Sequence, residues 1–185
     1  VKVKKNILNA LSIVFVFSTT LHAQDLSLSS KSFKDGERLS KQQEYAGFGC
    51  TGADLSPELS WQGAPKDTKS FAVTVYDPDA PTGSGWWHWT IFNIPVNVTA
   101  LKEGISSQAK ELPPGAVQGR TDYGSSRFGG ACPPQGDKPH HYVFTVFALD
   151  VAKIDLDKDA SGALVGYFLN KHALKKASLI ATYSR

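Results

Sequence analysis

One stretch limits the fold more than any other. Ser70 to Asp77 (Ser-Phe-Ala-Val-Thr-Val-Tyr-Asp) is rich in β-branched and aromatic residues, and strand periodicity puts Phe71, Val73, Val75 and Asp77 on one face. It runs directly into Pro78-Asp79-Ala80-Pro81. Neither a helix nor a central strand continues through that segment, because both prolines lack an N–H. The strand therefore ends at Asp77, and a buried apolar row ends in a carboxylate.

Other segments repeat the pattern. Trp86 to Pro95 reads as a second strand, dense in aromatics, with Thr90 and Phe92 expected on the face of His88. His140 to Asp150 reads as a third, with Tyr142, Phe144, Val146 and Ala148 sharing the parity of His140. Shorter strands are expected in Asp25–Ser32, at Leu59-Ser60-Trp61, near Ala116-Val117-Gln118 and over Ala177–Tyr183. One helix is expected, from Ser161 to Ala173, capped by Asp159 or Ser161 and apolar along Leu164, Val165, Phe168 and Leu169. Residues 44–60 and 102–139 read as loops. The 16 Gly and 10 Pro suit this turn-rich plan. The expected fold is mainly β: an antiparallel β-sandwich with one short helix in its C-terminal half.

Residues 1–23 form a separate unit. Lys2, Lys4 and Lys5 precede an apolar run from Ile7 to Phe17, and small and polar residues lead to Ala23. This is the plan of a secretory signal peptide cleaved after Ala23. The run is short for a bilayer span of roughly 20 residues, so no stable membrane anchor is expected after cleavage. The domain is then 24–185, and the location periplasmic or secreted. Of 20 basic side chains in the chain, three lie in the leader, which has no acid; the 17 left balance the 17 acidic ones. A nucleic-acid partner loses its electrostatic support. Cys50 and Cys132 both fall in the domain, and an even count in an exported chain suggests one disulfide. Two free, buried thiols are the other reading.

The chemistry-bearing residues sit at strand ends. Asp77 closes one row, His140 opens another and His88 lies near the start of its strand. If the strands lie side by side, two imidazoles, the Tyr142 hydroxyl and glycine-rich backbone at Gly130 converge on a pocket suited to a small anion. Asp77 would then hold a histidine's charge or tautomer rather than touch the anion. Each element alone has a plainer reading. Asp-Pro-Asp makes a turn, a His between Trp87 and Trp89 packs in a core, and Trp86, Trp87 and Trp89 are core aromatics.

Together these residues resemble a known family. Asp77-Pro-Asp-Ala-Pro-Thr-Gly-Ser-Gly-Trp-Trp-His-Trp-Thr-Ile-Phe-Asn-Ile-Pro95, then Gly129-Gly-Ala-Cys-Pro-Pro-Gln-Gly136 and His140-His-Tyr-Val-Phe144, is similar to the phosphatidylethanolamine-binding protein (PEBP) family. The bacterial Raf-kinase-inhibitor-like branch, of the YbhB/YbcL type, and its exported members resemble it most. The resemblance covers nearly all of residues 25–185. It implies a sandwich with a pocket for phosphate, acetate or phospholipid head groups. It makes Asp77 and Asp79 the acidic pair, Pro81 a proline after a cis bond that shapes the pocket, and His88, His140 and Tyr142 pocket residues. His141 stands where the family has Arg, which removes a fixed charge. Cys50 and Cys132 would lie in the loops flanking the pocket.

The function expected is that of an exported, non-catalytic binding protein, acting as inhibitor or modulator of a partner, with no cofactor and no bound metal. Its ligand would be a small anion or phospholipid head group; a protein partner and a homodimer also fit. No Gly-x-Ser-x-Gly or His-Glu-x-x-His occurs. The competing readings are a metal-assisted hydrolase using Asp77, Asp79, His88 and His140, and an interaction module with a vestigial pocket.

Overall fold

The computed structural model describes residues 25–107 and 111–185. The expected leader lies outside the described residues. Among the described residues eight strands and one α-helix follow in chain order, with a 3-10 turn at Ile105–Ser107: β1 (Ser27–Ser29), β2 (Leu59–Gln62), β3 (Ser70–Asp77), β4 (Trp86–Pro95), β5 (Ala100–Leu101), β6 (Val117–Gln118), β7 (His140–Leu149), α1 (Gly162–His172) and β8 (Ala173–Tyr183). They form a small sheet, β1-β2-β5, and a five-stranded sheet, β6-β4-β3-β7-β8. Every pairing between named strands is antiparallel. The sandwich expected from the strand pattern is present.

The large sheet is covered on both faces. One face carries Phe71, Val73, Val75, Trp89, Phe144 and Val146, which pack with Leu28, Trp61 and Leu101 of the small sheet. The other carries Ala72, Phe92 and Phe147, which pack with Val165 and Leu169 of α1. Double coverage explains why β3 is buried at nearly every position rather than at alternate ones. Ser161 caps α1 by accepting the Leu164 N–H at 3.3 Å. The helix docks closely because Gly162 lies flat on Trp87, where a Cβ would come within 2.3 Å of the ring. Leu164, expected in the apolar stripe, is 44% exposed, so the buried stripe is narrower than the sequence suggests.

Two departures come from pairing. β8 starts at Ala173, four residues earlier than expected, because α1 passes straight into a strand whose early residues pair with the end of β7. The outer edge of β8 is partly covered by the segment before β2: Gly36 donates to the Ile180 carbonyl, Leu39 to that of Thr182, and Thr182 to that of Glu37. Periodicity says nothing about this edge, since residues 36–39 form no alternating run.

The bulged register of β4 matters most for the site. Val75 pairs with Trp89 and Tyr76 with Trp87, so His88 is an extra residue in the ladder. The bulge moves Trp87 to the helix side while Trp89 stays in the core between the sheets. The expectation that His88 shares a face with Thr90 and Phe92 is therefore corrected: Phe92 faces the helix, and His88 faces the opposite way.

Leu169 is fully buried between α1 and the large sheet. Leu169→Ala is expected to cost about 2–5 kcal/mol, read as a lower urea midpoint. An unchanged midpoint would mean that α1 lies outside the cooperative unit.

Candidate functional site

Asp77 ends β3 as a buried carboxylate. Its Oδ1 accepts the N–H groups of Asp79 at 2.8 Å and Ala80 at 3.1 Å, which turns the chain sharply after Pro78. That turn replaces the expected cis bond: no cis peptide occurs among the described residues, so the expectation for Pro81 is corrected. Pro81 nevertheless forms part of the pocket wall, with Ala80 and Thr82. The Oδ2 of Asp77 accepts from His140 Nδ1 at 2.8 Å. The other ring nitrogen of His140 lies 3.5 Å from Asp137 Oδ2. Carboxylates thus flank His140 on both sides.

His88 is held differently. Its Nδ1 donates to the Gly129 carbonyl at 2.8 Å, which sets the tautomer and leaves Nε2 for the cavity. Burial pushes its pKa below the ordinary value, against the raising effect of the Gly129 carbonyl and of Asp77. The ring is therefore neutral near pH 7. Tyr142, two residues along β7 from His140, packs edge-on against His88, with ring centroids 5.0 Å apart. Burial, reinforced by the Asp77 charge, holds the Tyr142 hydroxyl protonated.

These groups line a cavity of about 160 Å³ at the strand ends, together with Phe48, Trp86, Tyr123, Cys132, Pro133 and Pro134. The Cys50–Cys132 disulfide, with Cα atoms 6.1 Å apart, joins the two rim loops. Arg185 reinforces the rim through its Nε on the Pro133 carbonyl at 2.6 Å. Tyr123 stacks on Tyr45 with centroids 4.0 Å apart and donates to the Gly130 carbonyl.

Asp77, Pro81, His88, His140 and Tyr142 are thus brought together. Asp79 and Gly130 are not in the lining. Asp79 Oδ2 accepts from the backbone N–H and Nδ1 of His141, each at 2.7 Å. Burial raises the Asp79 pKa, but the combined His141 contacts outweigh it and hold the carboxyl below its ordinary value. Gly130 gives its N–H to Asp54 Oδ1 at 2.6 Å and packs so tightly on residues 43–45 that a Cβ would clash with their backbone. Trp86 and Tyr123 were not expected in the pocket. Trp86 reads as core, and Tyr123 lies in a loop without periodicity. Asp54 and the rim residue Phe48, both with positive φ, also gave no sequence signal.

Two lining groups are unusual. Tyr142 Oη and Trp86 Nε1 are buried and have no partner among the described residues; Trp61 Nε1 and Thr90 Oγ1, also unpaired, lie outside the lining. Buried donors normally find acceptors; these two lie in the cavity wall without one. No set of three or more His, Cys, Asp or Glu placed to hold a metal occurs among the described residues.

A two-sheet antiparallel sandwich with a small, largely apolar cavity at its strand ends defines a class of β-proteins with an end pocket. The chain belongs within it to the phosphatidylethanolamine-binding protein family, whose sequence profile matches residues 29–184. It is 53% identical over 174 residues to the UPF0098 protein YbcL of Escherichia coli K12, covering 93% of this chain and 95% of that one. It is 46% identical over 159 residues to YbhB of the same organism, covering 86% and 100%. The E. coli YbcL crystal structure superposes with a TM-score of 0.86, covering 88% of this chain and 99% of that one. A PEBP homologue from Chlamydia trachomatis, CT736, does so with 0.73 at 30% identity, covering 87% and 98%.

Tyr142→Phe deletes a buried hydroxyl that lacks a partner. The ligand-free variant is expected to be more stable by about 1 kcal/mol, measured by thermal or urea unfolding; a destabilised variant would show that the hydroxyl is satisfied. His88 gives a second outcome. Its folded pKa lies below the ordinary 6.5, so below that pH the unfolded chain binds more protons and stability falls with pH. His88→Gln should flatten the decline between about pH 7 and 5, followed as urea midpoint against pH. An unflattened slope would remove His88 from that role.

Proposed function

We propose that this protein is an exported, non-catalytic binding protein whose cavity takes a small anion: phosphate, a carboxylate or a phospholipid head group. The observation that carries the reading is a cavity lined by His88, whose Nε2 has no protein partner among the described residues, with two unpartnered donors, Tyr142 Oη–H and Trp86 Nε1–H, buried in its wall. Family membership supports a binding role. The ligand contacts are assigned to Tyr142, Trp86 and the Nε2 of His88. Asp77 and His140 act as a paired wall, and Asp79 and Gly130 as struts behind it. Modulation of a protein partner would use the rim, where Phe48 is 69% exposed beside the cavity. Export is supported by the leader-like residues 1–23 and by the Cys50–Cys132 bridge, which persists in oxidising compartments.

Isothermal titration with phosphate and with phosphorylethanolamine tests the reading. Saturable binding is expected for the wild type, and its loss in a folded His88→Ala protein. Absence of heat with any small anion, or binding untouched by His88→Ala, would overturn it.

A further inference from the structure

The cavity lacks the usual means of holding an anion. Neither Lys nor Arg is among its lining residues. Its buried carboxylate, Asp77, is partnered by His140 and carries the wrong sign for attracting a dianion. Two unpartnered hydrogens lie in the cavity wall, Tyr142 Oη–H and Trp86 Nε1–H, both closed over in this structure, so that a ligand oxygen reaches them only as the side chains shift. The third polar group is different in kind. Because His88 Nδ1 donates to the Gly129 carbonyl, the neutral ring presents Nε2 as a lone pair. A fully ionised oxyanion would set an oxygen lone pair against it. A single proton between the two atoms turns that repulsion into a hydrogen bond.

We propose that the pocket binds a small oxyanion together with one proton, held between a ligand oxygen and His88 Nε2, and so selects hydrogen phosphate over sulfate of the same shape. This rests on the anion-binding reading above. Hydrogen phosphate brings the proton itself: its P–O–H donates to Nε2 while its other oxygens accept from Tyr142 and Trp86. Sulfate brings none near neutral pH, and neither does a phosphodiester. For these, Nε2 must first take a proton from solvent and become part of an imidazolium. A phosphomonoester, with a second pKa of about 6, changes from the first behaviour to the second as pH rises.

The surroundings bear on where that proton goes. Facing or near His88 are Asp77 from β3, His140 and Tyr142 from β7, and Asp122 and Tyr123 from the loop after β6. Burial disfavours the charged ring, while the Asp77 and Asp122 carboxylates favour it. His140 turns its nitrogens to Asp77 and Asp137 rather than to a ligand. Tyr123 is committed to the Gly130 carbonyl. Of the two imidazole rings, His88 is the one with a nitrogen, Nε2, that has no protein partner among the described residues and is free to share a ligand's proton.

The experiment is isothermal titration of the protein with sodium phosphate and sodium sulfate, at about pH 8 and about pH 5.5, in two buffers of different ionisation enthalpy. The buffer dependence of the heat counts protons taken up. At the higher pH, phosphate should bind with uptake near zero. Sulfate should bind about tenfold or more weaker and take up about one proton. Sulfate affinity should then rise about tenfold per pH unit on acidification until the free imidazole titrates, while phosphate affinity changes far less. In His88→Gln, whose amide offers both a donor and an acceptor, sulfate binding should lose its pH dependence. Equal affinities at the higher pH, a full proton taken up with phosphate, or an unchanged pH slope in His88→Gln would each overturn the proposal while leaving the anion pocket in place. Binding of neither ion at either pH would overturn the anion pocket as well.

Discussion

The buried carboxylate of Asp77 is the interaction on which the site depends. One oxygen closes the turn over Asp79 and Ala80, and the other fixes the imidazole that begins β7. A carboxylate withdrawn from water is costly unless its lone pairs are occupied, and here three donors occupy them. The same group ends the apolar row of β3, shapes the loop that carries Pro81 and sets the position of His140. Strand, loop and neighbouring strand are thereby joined at one residue.

The bulge at His88 is the second constraint. In a regular ladder, Trp87 and Trp89 would point the same way. One extra residue sends Trp87 beneath α1, keeps Trp89 in the core and turns the imidazole towards Tyr142. The helix and the pocket are linked through this local irregularity: the indole on which Gly162 rests is adjacent to the ring that faces the cavity. Bulges recur where a sheet must re-aim a side chain at a site.

Much of this was legible in the amino-acid order, for physical reasons. β3, β4 and β7 are long apolar runs with sharp ends, and β3 is ended by prolines. Asp77, His88, His140 and Tyr142 were recognisable because ionisable or hydroxyl groups occupy the ends of such runs. What failed to show was whatever depends on non-local pairing. The bulge leaves no period of its own, so the parity of His88 with Thr90 and Phe92 was misleading. Tyr123 and Asp54 reach their places from loops, through contacts with Tyr45 and Gly130 that only the tertiary structure creates. The two-residue β5 is too short for alternation to register. The family resemblance supplied a cis bond at Pro81 that the Asp77 turn makes unnecessary.

The covered edge of β8 bears on how this molecule can associate with itself. Segment 36–39 occupies part of the strand's outer backbone, and the opposite end carries the exposed Lys175 and Lys176. The other margin of the sheet is β6, only two residues long. Among the described strands, a foreign strand therefore finds no long, uncharged ladder to extend, which is how β-sheet edges are kept from pairing with other chains. The backbone at the margins of the large sheet is thus short, covered or flanked by charge, which keeps the sandwich a closed unit.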